Sequence, residues 1–157
     1  MDKEKMAFLQ TGMFEAFASL QATTPGRWGL MNAQQMLEHL ADFFDVSTEK
    51  LVFPLSVPEE HLPKYKAFLY SDKDFRENTR APENVLGEIP APEKFESIEA
   101  AKQNLQRSVQ EFVQFFKSNP GKYTLHPAFG MLNFEEWVLL HFKHVKHHLK
   151  QFGLATA

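Results

Sequence analysis

Residues 134–152 read FEEWVLLHFKHVKHHLKQF and have the periodicity of one amphipathic helix, which carries four of the seven histidines. At about 100° per residue, one face of this helix is predicted to point inward. The inward stripe comprises Phe134, Trp137, His141, Val145, His148 and Phe152. His144 lies at the edge of the stripe, one turn from His148, and Lys143, Lys146 and Lys150 are expected on the opposite, solvent-exposed face.

Three further segments have the same helical period. They are predicted as helices over roughly residues 3–20, 32–46 and 97–118. The second helix has a capping-box pattern at its start, because Asn32 is followed three residues later by Gln35. Asn133 and Glu136 repeat this pattern at the start of the last helix. No segment alternates strictly enough to predict a strand.

A long connection, residues 50–95, separates the second and third helices and contains prolines at positions 54, 58, 63, 82, 90 and 92. Regular structure there should be short, with one helical piece at 63–71. A connection of this length is typical of a crossover or a functional loop. We expect it to lie over one end of the helices and to form part of the wall of the functional site. The sequence therefore predicts an all-α chain: a single domain over residues 1–157, folded as a four-helix bundle with a long crossover.

The composition excludes several classes of protein. The net charge of −3 gives no electrostatic reason to expect a nucleic-acid partner, and no apolar run reaches the roughly 20 residues that span a bilayer. The absence of cysteine removes disulfides, thiolate ligands and a cysteine nucleophile. No His is directly followed by Glu, so the zinc-protease helix motif is absent. No Glu-x-x-His occurs either, so the ferritin di-iron motif is absent. We expect a cytoplasmic protein with no membrane partner.

The spacing of the histidines points to a metal site. His144 and His148, four residues apart on one helix, can direct two imidazoles to a single cation. A third ligand must come from another helix, and His39 is the candidate because its neighbours Met36 and Phe43 turn it inward. Ring nitrogens around one ion should lie roughly 3–4 Å apart. His141 is left open as a ligand, a supporting partner or a packed core residue.

A resemblance to a known family rests on two stretches, His144-Val145-Lys146-His147-His148-Leu149-Lys150-Gln151 and Met36-Leu37-Glu38-His39-Leu40. Both resemble the signature helices of the DinB/YfiT-like superfamily. The stretches 28–32 and 126–130 are similar to an uncharacterised branch of it. The resemblance implies a four-helix bundle with a three-histidine metal site formed by His39, His144 and His148. Many relatives have Arg-Gly where this chain has Leu149-Lys150. This difference does not affect the three metal ligands, but the substrate contacts of those relatives are not carried over to this chain.

The resemblance also implies a class of activity, since characterised relatives include metal-dependent enzymes that use low-molecular-weight thiols. We therefore expect a divalent cation, zinc or nickel, and a small-molecule substrate, with transfer of a thiol or hydrolysis as the reaction. Any thiolate must come from a cofactor or substrate, because the chain has no cysteine. The alternatives are a non-catalytic metal or small-molecule binder and a purely structural bundle. A homodimer stays open, and no residue is assigned as general base.

Overall fold

The computed structural model describes residues 1–77 and 90–154, and this part of the chain is mostly helical. Helix α1 has three consecutive parts, which are α-helical Lys3–Ala7, π-helical Phe8–Gly12 and α-helical Met13–Phe17. The other helices of the described residues are α2 (Ala33–Ser47), α3 (Leu62–Tyr70), α4 (Ile98–Ser118) and α5 (Phe134–Gln151), and a 3₁₀ turn, Glu59–His61, precedes α3. Two short strands, β1 (Thr124–His126) and β2 (Gly130–Leu132), pair antiparallel. The expectation of a helical fold is confirmed, and none of the described helices is long and apolar enough to cross a membrane.

Local capping fixes where the two site-bearing helices begin. The side chain of Asn32 accepts a hydrogen bond from the backbone N–H of Gln35 at 2.8 Å, and the Gln35 side chain accepts from Asn32 N at 2.9 Å. Asn133 and Glu136 form the same reciprocal pair at the start of α5. Gly153 follows α5 with a φ of 69°, a backbone conformation that favours glycine. The predicted helix starts are therefore confirmed.

The apolar core is shared by helices α1, α2, α4 and α5, and it fixes the positions of the two histidine-bearing helices, α2 and α5. The large side chains that are almost completely buried include Phe17 of α1, Phe44 of α2, Phe112 of α4 and Trp137 of α5. The rings of Phe44 and Phe112 contact each other with centroids 5.5 Å apart. Removing this much aromatic surface from water is the main favourable contribution to folding. The core thus fixes α2 against α4 and α5 without any disulfide.

The β1–β2 hairpin corrects the expectation that the chain has no strand. Each strand has only three residues, which is too short for a period of two to be visible in the sequence. Thr124 links the hairpin to its neighbours, because its hydroxyl donates to Ser47 O at 2.8 Å and accepts from Trp137 Nε1 at 2.8 Å. The hairpin therefore lies against the end of α2 and the first turns of α5.

The described parts of the long connection pack closely on the helices. Its helical piece is α3, one residue displaced from the predicted range, while residues 78–89, which include part of the proline-rich middle, lie outside the described residues. Lys143, expected on the exposed face of α5, is only 7% exposed, so that expectation was wrong. Its ammonium donates to the backbone carbonyls of Ser71 and Lys73 and lies 4.7 Å from the ring centroid of Phe68. The lysine thus ties the connection after α3 to α5.

Candidate metal centre

Three histidines from two helices meet at one point. His39 projects from the middle of α2, and His144 and His148 project from successive turns of α5. The Nε2 atom of His144 lies 2.8 Å from Nε2 of His39 and 3.1 Å from Nε2 of His148. One nitrogen from each ring lies within 4.8 Å of the others, a grouping that can hold a metal ion. The structure therefore brings together the three residues that the sequence analysis selected.

Hydrogen bonding alone does not satisfy this arrangement. A neutral imidazole nitrogen carries either one hydrogen or one lone pair, so His144 Nε2 can form an ordinary two-centre hydrogen bond with only one of its two neighbours. Three lone pairs directed at one cation would satisfy all three rings at once. Ligand bonds of about 2.0–2.1 Å place neighbouring nitrogens about 2.9 Å apart at right angles and about 3.3 Å apart at tetrahedral angles. The observed separations of 2.8 and 3.1 Å are close to this range.

The tautomer of His148 is set by a side chain on the next turn of α5. Its Nδ1 lies 2.6 Å from Oε1 of Gln151, whose amide Nε2 donates in turn to the backbone carbonyl of Trp28 at 2.9 Å. Because the Gln151 amide must present its oxygen to the ring, His148 Nδ1 carries the hydrogen and Nε2 keeps its lone pair. This is the usual way in which a protein orients a metal-binding imidazole. The chain Trp28–Gln151–His148 therefore prepares Nε2 for coordination.

The loop before α2 is built to approach Gln151 closely. Arg27 N donates to the backbone carbonyl of Gln151 at 2.7 Å. Gly29 has a φ of 79°, and a Cβ at this position would lie 2.9 Å from the Gln151 amide nitrogen. A larger residue at position 29 would therefore be strained and would push the amide away. No role was predicted for this loop or for Gln151, although an amide side chain three residues after a candidate ligand is a usable signal.

Burial keeps the three rings neutral. It lowers the pKa of His39 to about 4, with a further contribution from the nearby His147. Burial also lowers the pKa of His144 and of His148 well below the usual histidine value, and the neighbouring imidazoles add to the shift. Only the neutral ring has a lone pair to give to a metal. At neutral pH all three rings are therefore neutral, which is the charge state that coordination requires.

His141 lies outside the cluster and packs in the core. It is 1% exposed, and its ring stacks on Phe44 with centroids 3.8 Å apart and on Trp137 at 5.2 Å. Its Nε2 is buried and has no hydrogen-bond partner among the described residues. Of the alternatives left open for His141, the packed one agrees with this environment. His147, which directly precedes His148, is 7% exposed and contacts the rings of Trp28 and Phe75.

Two parts of the connection between α2 and α4 contact residues that adjoin the clustered histidines in sequence. Phe75, before the undescribed residues, contacts His147 with centroids 5.9 Å apart. Beyond them, Lys94 N and Phe95 N donate to the two carboxylate oxygens of Glu38 at 2.8 and 3.2 Å. Glu38 adjoins His39 in sequence, yet its carboxylate oxygens accept hydrogen bonds from these backbone N–H groups. Its carboxylate therefore anchors the connection to α2.

A family assignment follows from comparison with known proteins. A family model of the DinB superfamily matches residues 13–152, which is most of the chain and includes all three clustered histidines. The chain therefore belongs to the DinB superfamily, which confirms the resemblance seen in the sequence. The comparison with curated proteins gave no match, and neither did the comparison with solved structures.

Proposed function

We propose that this chain is a divalent-metal-dependent enzyme of the DinB/YfiT-like type, which acts on a small molecule as a thiol-dependent transferase or as a hydrolase. The observation that carries the proposal is the meeting of three Nε2 atoms at distances of 2.8 and 3.1 Å around His144. His39, His144 and His148 would hold the ion. Zinc or nickel is the proposed metal, because both accept imidazole ligands.

The chemistry of the ligand set favours catalysis over a purely structural role. Three neutral imidazoles would leave the positive charge of a bound cation uncompensated, and that charge would bring the pKa of a coordinated water or thiol toward neutrality. Structural zinc sites are usually closed by four protein ligands, whereas three protein ligands leave a position for substrate. The chain would contribute orientation through Gln151 and partial exclusion of water by aromatic neighbours such as Phe43.

The proposal also covers the bundle architecture, the cellular compartment and the partners of the chain. We propose that α1, α2, α4 and α5 act as a four-helix bundle with the long connection as its crossover, in one domain covering residues 1–157. The shared aromatic core of these four helices supports this arrangement. We also propose a cytoplasmic protein that needs no nucleic-acid or membrane partner. A homodimer is compatible with the proposal but is not required by it.

Metal content is the first test. Protein produced without a histidine tag would be analysed for bound elements before and after treatment with a chelator, and then after reloading with zinc or nickel. We expect close to one ion per chain in the parent protein and loss of tight binding in His148→Ala. His61→Ala is the matched control, because His61 is exposed on the 3₁₀ turn and lies outside the cluster. Equal metal content in the parent protein and His148→Ala would refute the site.

Turnover is the second test. The metal-loaded protein would be assayed with low-molecular-weight thiols paired with alkyl and aryl electrophiles, and separately with activated esters. We expect metal-dependent turnover with one of these sets that disappears on chelation and returns on reloading. Stoichiometric metal without turnover in either set would support the non-catalytic binder instead. Protein without any affinity for metal would leave the histidines as core polar groups.

A further inference from the structure

His126 has a fixed tautomer. Its Nδ1 accepts hydrogen bonds from the backbone N–H groups of Ala128 and Phe129, at 2.9 and 3.2 Å. A nitrogen that accepts from two amides carries no hydrogen, so the neutral ring has its hydrogen on Nε2. Burial lowers the pKa of His126 to about 3, so the ring is neutral over the physiological range. His126 therefore presents one uncharged N–H donor.

The turn that holds this ring is braced from two sides. His126 pairs with Gly130 at the end of the β1–β2 hairpin. The carbonyl of Pro127 accepts hydrogen bonds from both the backbone N–H and the hydroxyl of Ser56, at 2.8 and 3.0 Å. Gly130 has a φ of 80°, and a Cβ there would lie 3.0 Å from Leu62 at the start of α3. The imidazole is thus held in place by the long connection as well as by its own hairpin.

The donor has no partner within the chain that is described. His126 is 8% exposed, yet within residues 1–77 and 90–154 its Nε2 makes no hydrogen bond. Because the two ring nitrogens point in widely different directions, Nε2–H is directed away from the turn amides that hold Nδ1. Unlike the buried Nε2 of His141, the unpaired Nε2 of His126 reaches the surface, so it can donate to water or to an acceptor on a bound ligand.

The ring lies one aromatic side chain away from the histidine cluster. Phe43 stacks on His126 with centroids 5.5 Å apart and an interplanar angle of 26°. The same Phe43 ring contacts His39 at 5.1 Å and His144 at 5.4 Å, edge to face in both cases. A small molecule that is bound at the cluster and extends past Phe43 would therefore come within reach of His126.

We propose that His126 is a substrate-binding residue of this centre, whose Nε2–H donates a hydrogen bond to a carboxylate or carbonyl oxygen of the small molecule bound at the three-histidine cluster. The inference rests on the proposed metal site. It adds a chemical requirement, namely that the substrate carries an oxygen acceptor at a distance from the atom that meets the metal. A prepositioned donor strengthens binding because no rotamer must be ordered when the ligand arrives.

The test uses the cobalt-loaded full-length protein, whose thiolate-to-metal absorption reports thiol binding. Mercaptocarboxylates from mercaptoacetate to 6-mercaptohexanoate are titrated beside alkanethiols of matched length. His126→Asn is the variant, because the Asn side-chain oxygen can still accept from the turn amides while the Nε2–H is lost. At the chain length that reaches His126, the preference for the carboxylate should fall about tenfold in the variant, the effect of one hydrogen bond. Alkanethiol affinity should be unchanged.

Two results would overturn the inference in distinguishable ways. Cobalt and thiol binding with the same carboxylate preference in both proteins at every length would refute the role of His126 and leave the metal site standing. Failure of the parent protein to bind cobalt would remove both proposals together.

A measurement on the parent protein covers the case in which His126→Asn does not fold. In zinc-loaded protein labelled with ¹⁵N-histidine, the His126 Nε2–H resonance should shift when a mercaptocarboxylate of suitable length is added. The matched alkanethiol should leave that resonance in place. An Nε2–H signal that stays unshifted with every mercaptocarboxylate in the series would also refute the role of His126.

Discussion

Replacement of Gln151 by Met should weaken metal binding without changing any ligand. Gln151 is 2% exposed, and its amide makes the hydrogen bonds that join His148 Nδ1 to the carbonyl of Trp28. Met has a similar volume but offers neither the acceptor nor the donor. Loss of a partner that orients a metal-binding histidine typically costs 10–100-fold in affinity, or about 1.4–2.8 kcal/mol. We expect the Kd for zinc to rise by about that factor.

The same substitution should also destabilise the metal-free protein. It leaves the buried His148 Nδ1–H and the carbonyl of the half-buried Trp28 without partners, and an unpaired buried donor costs about 1–3 kcal/mol. Gln151→Glu separates the two effects, because a carboxylate still accepts from His148 but cannot donate to Trp28. We expect Gln151→Glu to keep most of the metal affinity while its metal-free melting temperature falls.

The assay is competition for zinc with a chromophoric chelator, together with thermal melting of the metal-free proteins. Gln103→Met is the control, since Gln103 is exposed on α4 and far along the chain from the cluster. A zinc Kd for Gln151→Met equal to that of Gln103→Met, with a lower melting temperature, would mean that Gln151 supports the fold alone. In that case the hydrogen bond from His148 Nδ1 to Gln151 would have no effect on metal binding.

Three further outcomes are expected. His141→Asn should leave metal content nearly unchanged, whereas His148→Ala should abolish tight binding, and equal losses by elemental analysis would mean that the ligand set is wrong. Gly29→Ala should cost about 1–2 kcal/mol of stability and also raise the zinc Kd, because the new Cβ meets the Gln151 amide at 2.9 Å. Gly121→Ala is its control, with a φ of 77° and no neighbour within 4 Å, so it should lose stability alone. Finally, the rise in melting temperature that zinc produces should persist at mildly acid pH and disappear only toward about pH 4.

Local signals in the sequence were sufficient for the helices and for the cluster. The Asn32 and Asn133 caps each act on residues three positions away, so the helix starts are visible without any tertiary information. The four-residue step from His144 to His148 fixes a shared helix face in the same local way. Placing His39 opposite them required only the inward face of α2. These elements are predictable because their causes lie within one or two helical turns.

The features that were missed depend on contacts between distant parts of the chain. Gln151 and Trp28 are 123 residues apart, and no periodicity within either segment indicates that they meet. Lys143 falls on the polar side of the helix pattern, yet the connection after α3 folds over it and supplies carbonyl partners 72 and 70 residues away. A helical wheel treats every lysine on that face as solvated. Such side chains can be assigned only once the long connection has been placed.

The pH dependence shows how tertiary placement changes a prediction made from the residues alone. With the ordinary histidine pKa of about 6.5, protons would compete with a metal below about pH 6. Burial lowers the pKa of His39 to about 4, and those of His144 and His148 are lowered as well, whereas the unfolded chain keeps ordinary values.

Between about pH 6.5 and pH 4 the unfolded chain therefore binds more protons than the native one, so stability of the metal-free protein should fall as the pH drops through this window. The native rings stay neutral there, so zinc should still raise the melting temperature at about pH 5.5 and lose this effect only near the native pKa values. Melting with and without zinc at about pH 7.5, 5.5 and 4 checks the order of these events. Disappearance of the zinc effect between pH 7.5 and 5.5 would show that the imidazoles titrate as solvated groups, which is incompatible with the lowered pKa values of these rings.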